Sequence, residues 1–298
     1  MGQGPSKELS GEAARALHRV TRALPGGGEV REGQRQMAEQ VAGAIAGGRH
    51  LVVAAGTGTG KSLAYLVPAI LSGRRVVVAT ATKALQDQLA RRDLPLLQAS
   101  LGRSFRFTVL KGRANYLCRQ RATEVVTGGP DQMLDGFGGP DAETAGHGDG
   151  PAGHGDGPAG HGGPGGGRGG AGGATGLGEE VSRLLAWGRR TRTGDRAELD
   201  FEPSPRAWGL VSVGATECPG RAHCPSGRAC FAEEARDRAN RSDVVVVNMH
   251  LYGAHLKAEQ GVLADHDVVV FDEAHELEDV ATASLGVELS PWRLRAVA

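Results

Sequence analysis

The sequence predicts an α/β protein built on a parallel sheet, and three observations carry that expectation. Short apolar runs at residues 51–55, 75–80, 105–110, 243–248 and 268–271 read as strands, and they are continuous rather than alternating, as strands covered on both faces are. Segments with apolar residues at helical spacing separate them. The first run opens into a glycine-rich turn and a helix, and the last ends in the adjacent carboxylates Asp272 and Glu273.

Taken in order, residues 9–24 place Ala13, Ala14, Leu17, Val20 and Leu24 at helical spacing, and Pro25-Gly26-Gly27-Gly28 stops the pattern. Residues 1–28 are thus an N-terminal helix and linker without evident chemistry. A second helix spans about residues 35–46, and Gln34 stands just before it. Its amide both donates and accepts, so it could read an adenine edge, although most glutamines at such places are simply solvated.

The run at 51–55 leads into Ala55-Gly56-Thr57-Gly58-Thr59-Gly60-Lys61-Ser62, a phosphate-binding loop. Gly58 and Gly60 lack a Cβ, so the backbone can curl its N–H groups around an anion at the start of the next helix. Lys61 would reach the β- and γ-phosphates and the Ser62 hydroxyl could ligate Mg²⁺. Ala55 stands where the strict pattern has its first glycine. The order strand, loop, Lys-Ser and helix favours a nucleoside triphosphate site over a mere connecting turn.

The next strand, 75–80, delivers Thr80 and Thr82 to a carboxyl end, where open α/β sheets bind ligands; helix capping is the plainer use of such hydroxyls. After 105–110 come Lys111, Arg113, Arg119 and Arg121 with Tyr116 and no anion. That mix can follow a phosphate backbone and stack a base, or form a solvated face. The final run delivers Asp272, which can hold Mg²⁺ through its water shell, and Glu273, which can polarise an attacking water.

Residues 128–178 hold 23 of the 48 glycines and repeat Gly-His-Gly-Asp-Gly-Pro-Ala. Such a stretch cannot bury a core and is expected to be disordered; His147, His154 and His161 recur in it without a frame to hold a metal. Structure is expected again from about residue 179.

Lys+Arg and Asp+Glu both total 34 in the 298 residues, so any basic surface must be local. No apolar run reaches membrane-spanning length, no apolar signal core stands at the N-terminus, and a cytoplasmic protein is expected. In that compartment Cys118, Cys218, Cys224 and Cys230 are better metal ligands than disulfides. Their spacing contains no close Cys pair of the zinc type, which favours an iron–sulfur cluster over zinc, with unrelated buried thiols as a third reading.

Together, Arg31-Glu32-Gly33-Gln34, the phosphate loop, the Thr80-Ala81-Thr82 strand end, the four cysteines and Asp272-Glu273-Ala274-His275 resemble the DinG/XPD family of superfamily 2 iron–sulfur DNA helicases, most of all its bacterial DinG-type members. The resemblance implies a RecA-like P-loop NTPase motor domain with helices on both faces of its sheet, made of residues 29–110 and 241–298. It is interrupted by a small [4Fe-4S] domain (111–127 and 179–240) and by the glycine-rich insert, which departs from the family. ATP and Mg²⁺ would be bound by Gln34, residues 55–62 and Asp272. Lys61, Asp272, Glu273 and His275 would run and couple hydrolysis, and the four cysteines would hold the cluster. Single-stranded or forked DNA would pass Thr80, Thr82, Lys111, Arg113, Tyr116, Arg119 and Arg121, with 5′-to-3′ translocation. The family's second RecA-like domain is not seen, so little unwinding is expected of these 298 residues alone. A non-catalytic DNA-binding module is the alternative; a small-molecule phosphotransferase leaves the cysteines unexplained.

Overall fold

The computed structural model describes residues 5–24, 26–56, 58–128, 172–258 and 261–285. The chain divides into two compact units, Met1–Gly112 with Glu233–Ala298, and Arg113–Ala232.

In the first unit, helices α1 (Pro5–Arg22) and α2 (Glu32–Gly47) precede α3 (Lys61–Leu71), which starts at the phosphate loop. Strand β1 (Val76–Thr80) follows, then α4 (Lys83–Gln88), a π-helical turn (Leu89–Asp93) and α5 (Leu94–Ser100), then β2 (Phe107–Val109). The sheet is completed by β3 (Val244–Asn248) and β4 (Val268–Asp272), in the order β2-β3-β1-β4 with every pairing parallel. The register aligns Thr80 with Asn248 on one side and with Asp272 on the other, so three strand ends share one edge.

The expected parallel sheet and four of its strands are present; the strand expected at 51–55 is not. That stretch joins no ladder among the described residues and leaves Val52 94% exposed. A strand exists only by pairing with another, and residues 51–55 pair with neither end strand of the sheet, β2 or β4, although each has an open edge. Apolar faces of α1, α2 and α3 (Leu17, Val20, Ala38, Leu66, Val67) pack with Val76, Val78, Val244 and Val246 into the main core.

The second unit contains α6 (Arg119–Gly128), α7 (Gly172–Gly188) and α8 (Pro205–Val211). Helix α7 begins inside the stretch expected to be structureless; the glycine repeat and its histidines lie outside the described residues. Ser204 caps α8 by accepting from Ala207 N–H, and Trp208 donates its ring N–H to the Ala114 carbonyl at 2.7 Å. Helix α9 (Phe231–Asn240) returns the chain to the first unit, where α10 (Met249–Lys257) follows β3 and α11 (Leu277–Leu285) follows β4. Among the described residues no helix is long and apolar enough to cross a membrane.

Candidate functional site

In the first unit the phosphate loop and the last carboxylates meet at the carboxyl edge of the sheet. Gly60 enters α3 with φ 77°, and a Cβ there would lie 2.3 Å from the Gln34 amide nitrogen. Two side chains beside the start of α2 hold the loop by its carbonyls: Arg31 Nη1 donates to Gly58 O at 2.7 Å and Gln34 Nε2 to Gly60 O at 3.1 Å. Thr59 Oγ1 donates to Gly56 O at 2.9 Å. Thr57 lies outside the described residues, and Ala55 holds an ordinary negative φ, so the missing first glycine is not required here.

Lys61 Nζ lies 3.0 Å from Glu273 Oε1. Glu273 sits at φ 59° and ψ 50°, the one left-handed non-glycine among the described residues, a conformation costing on the order of 1–3 kcal/mol. Asp272 is 7% exposed; its Oδ1 accepts from Glu273 N–H at 3.1 Å and its Oδ2 from the Tyr65 hydroxyl at 3.0 Å. Burial, and next the Asp272 carboxylate, push the Tyr65 hydroxyl well above its ordinary range, so it stays a donor. His275 is exposed, with Nδ1 3.4 Å from Glu273 Oε2 and Nε2 3.3 Å from Glu276 Oε1.

Beside the loop, an open concavity of about 480 Å³ is lined by Gln34, Gln36, Met37, Gln40 and residues 51–55. Its size suits a small organic ligand. Gln34, expected at an adenine edge, borders this space but is buried with its amide nitrogen on the loop.

Other expected residues are placed less openly. Thr80 is buried, its hydroxyl donating to the carbonyls of Thr82 and Val247 at 3.3 and 3.4 Å. Thr82 accepts from Leu85 N–H as the cap of α4. Tyr65 was missed by sequence reasoning; its position one helical turn after Lys61, on the same face, was the available signal.

In the second unit Cys118, Cys218, Cys224 and Cys230, all free and half-buried, line one cavity. Burial raises the Cys118 thiol above its usual range, and nearby Cys224 and Cys230 add to the rise. Arg113 Nη1 lies 3.6 Å from Cys218 Sγ. Four soft donors around one space suit a thiolate-ligated cluster. No group of three His, Cys, Asp or Glu side chains among the described residues gathers around a single ion.

The Arg119 guanidinium stacks 4.0 Å over the Phe231 ring, and its buried Nε has no hydrogen-bond partner. Arg121 lies 3.9 Å from Glu217. Tyr116 is buried and bridges Asp195 by backbone pairing, so its ring is packed within the unit rather than offered as a stacking platform.

Residues 31–143 match the DEAD/DEAH box helicase family. The chain is 43% identical over 272 residues to the ATP-dependent helicase DinG of Mycobacterium tuberculosis, covering 89% of this chain and 37% of that protein. Over most of its length the chain is thus similar to DinG-type helicases. It is also 35% identical over 280 residues to the ATP-dependent DNA helicase YoaA of Escherichia coli, covering 92% of this chain and 37% of YoaA. To the ATP-dependent DNA helicase DinG of the same organism it is 31% identical over 274 residues, covering 87% and 34%. The chain thus spans little more than a third of the length of these DinG-type relatives.

Proposed function

We propose that this chain is the ATP-binding and cluster-bearing part of an ATP-dependent DNA helicase. The observation that supports it most is the meeting of Lys61 with Glu273 beside Asp272 at one sheet edge, although Lys61 and Glu273 lie 212 positions apart in the chain. Asp272 and Ser62 offer hard oxygen donors that fit Mg²⁺, which when bound would neutralise charge on the phosphate oxygens. Lys61 leaves Glu273 to meet the β- and γ-phosphates. Glu273 then orients water and accepts its proton as the water oxygen bonds the γ-phosphorus and the bond to the bridging oxygen breaks, releasing ADP. The nucleoside end occupies the concavity beside Gln34, which must exchange its bond to Gly60 to read adenine.

Cys118, Cys218, Cys224 and Cys230 are assigned as ligands of a [4Fe-4S] cluster, supported by their common cavity. Thr82, Lys111, Arg113, Arg119 and Arg121 are assigned to single-stranded or forked DNA, with 5′-to-3′ movement. Coupling is assigned to a second RecA-like domain meeting the side of His275, and the site of action to the cytoplasm. Because the chain spans little more than a third of its relatives, these 298 residues alone are expected to bind and turn over nucleotide with little unwinding.

The test is ATP hydrolysis by the 298-residue chain with and without single-stranded DNA, beside Lys61→Ala. Stimulation by DNA that Lys61→Ala abolishes supports the proposal. Absence of nucleotide binding would overturn it, and binding of nucleotide and DNA without turnover would select the non-catalytic module.

A further inference from the structure

We propose that Tyr65 is a positioning residue of the divalent-cation site: its hydroxyl holds the Asp272 carboxylate set for a cation arriving with phosphate. This rests on the reading of Ser62 and Asp272 as the cation's protein contacts.

A buried carboxylate normally meets a cationic partner or a metal. Asp272 is 7% exposed, yet its bonds run to two neutral donors, the Tyr65 hydroxyl and the Glu273 N–H. The nearby lysine is engaged elsewhere: Lys61 pairs with Glu273, and Asp272 joins no ion pair among the described residues. Its negative charge is therefore held in place but not neutralised, as a cation site requires. Tyr65 is 3% exposed and packs in the main core, where phenylalanine would fill the same space. What the hydroxyl adds is the bond at 3.0 Å to Asp272 Oδ2. With Oδ2 held by Tyr65 and Oδ1 by the backbone, the carboxylate plane is set before any ligand arrives. Pre-setting removes rotamer entropy that binding would otherwise have to overcome.

The experiment titrates a fluorescent ADP into the 298-residue chain with and without Mg²⁺, for wild type and Tyr65→Phe, with melting curves for both. Tyr65→Phe should leave Mg²⁺-free binding within about twofold and raise the Mg²⁺ needed for half-effect by about tenfold or more, as loss of a bond to a charged group does. Combined with Asp272→Asn it should add nothing, because its target carboxylate is already gone. An unchanged or lower Mg²⁺ requirement in folded Tyr65→Phe would overturn the proposal, the latter meaning that the hydroxyl competes with the cation. If the variant does not fold, ring-labelled tyrosine in the wild type takes its place, which is practical with only three tyrosines. A Tyr65 resonance that moves on adding Mg²⁺ to the ADP-bound chain supports the proposal, and one that stays still overturns it. Wild type that binds no nucleotide would remove the underlying reading and this proposal with it, whereas intact Mg²⁺-dependent binding with an indifferent Tyr65 removes this proposal alone.

Discussion

Lys61 Nζ and Glu273 Oε1 stand 3.0 Å apart, pairing the cation assigned to phosphate with the carboxylate assigned to water. The two side chains are about a quarter and a third exposed, so the pair contributes only about 0–1 kcal/mol and phosphate can displace it.

Glu273→Gln should therefore separate binding from turnover. Hydrolysis should fall by about 10²–10⁴, the usual share of a positioned base, while ATP affinity holds or rises a few-fold as Lys61 is released. Lys61→Ala should lose affinity and turnover together. Fluorescent-nucleotide titration and steady-state phosphate release check both.

Gly60→Ala should destabilise the first unit and weaken nucleotide binding. Its φ of 77° is strained for alanine by on the order of 1–3 kcal/mol, and the new Cβ would meet the Gln34 amide at 2.3 Å. Adding Gln34→Ala removes the clash but not the strain, so melting temperature should recover only in part.

Iron and acid-labile sulfide should be present at about four each per chain in protein purified without oxygen. Cys224→Ser should lower both together with the visible absorption. Gly227→Ala should do so as well although it removes no thiol, because its Cβ would lie 2.1 Å from the Arg221 carbonyl oxygen in the wall of the cysteine cavity.

Stability should fall on mild acidification. His255 is 2% exposed and its Nδ1 accepts from Leu263 N–H at 3.1 Å, which requires neutral imidazole at that atom. Burial first, then His266, hold its pKa below the ordinary 6.5, with Asp265 opposing. Below 6.5 the unfolded chain therefore binds the proton more readily than the folded one, so this contribution is complete above 6.5 and is lost as pH drops toward the folded value. His255→Asn keeps an acceptor near Nδ1 without the titration. Its melting temperature should be lower at pH 7.5 but flatter between pH 7.5 and 5.5 than that of the wild type.

Much of this was legible in the residues themselves. Continuous apolar runs at 76–80 and 244–248 mark strands covered on both faces, as in a parallel interior, while the similar run at 268–272 forms a half-buried end strand of the same sheet. Gly60-Lys61-Ser62 and Asp272-Glu273 carry their chemistry in local order, and helix spacing placed Ala13, Leu17 and Val20 in the core. These are short-range properties, set by side-chain type and backbone period.

Only the tertiary structure decided the rest. It left the apolar run at 51–55 without a ladder, since pairing depends on where distant strands lie and not on the run itself. It turned Thr80 and Tyr116 inward, and it brought the Tyr65 hydroxyl to Asp272 across 207 positions of sequence. It also drew Cys118 into one cavity with three cysteines from beyond residue 200. No local pattern encodes such meetings, because they are fixed by how the chain closes on itself, and that is why the sequence determined the chemistry while the fold decided its partners.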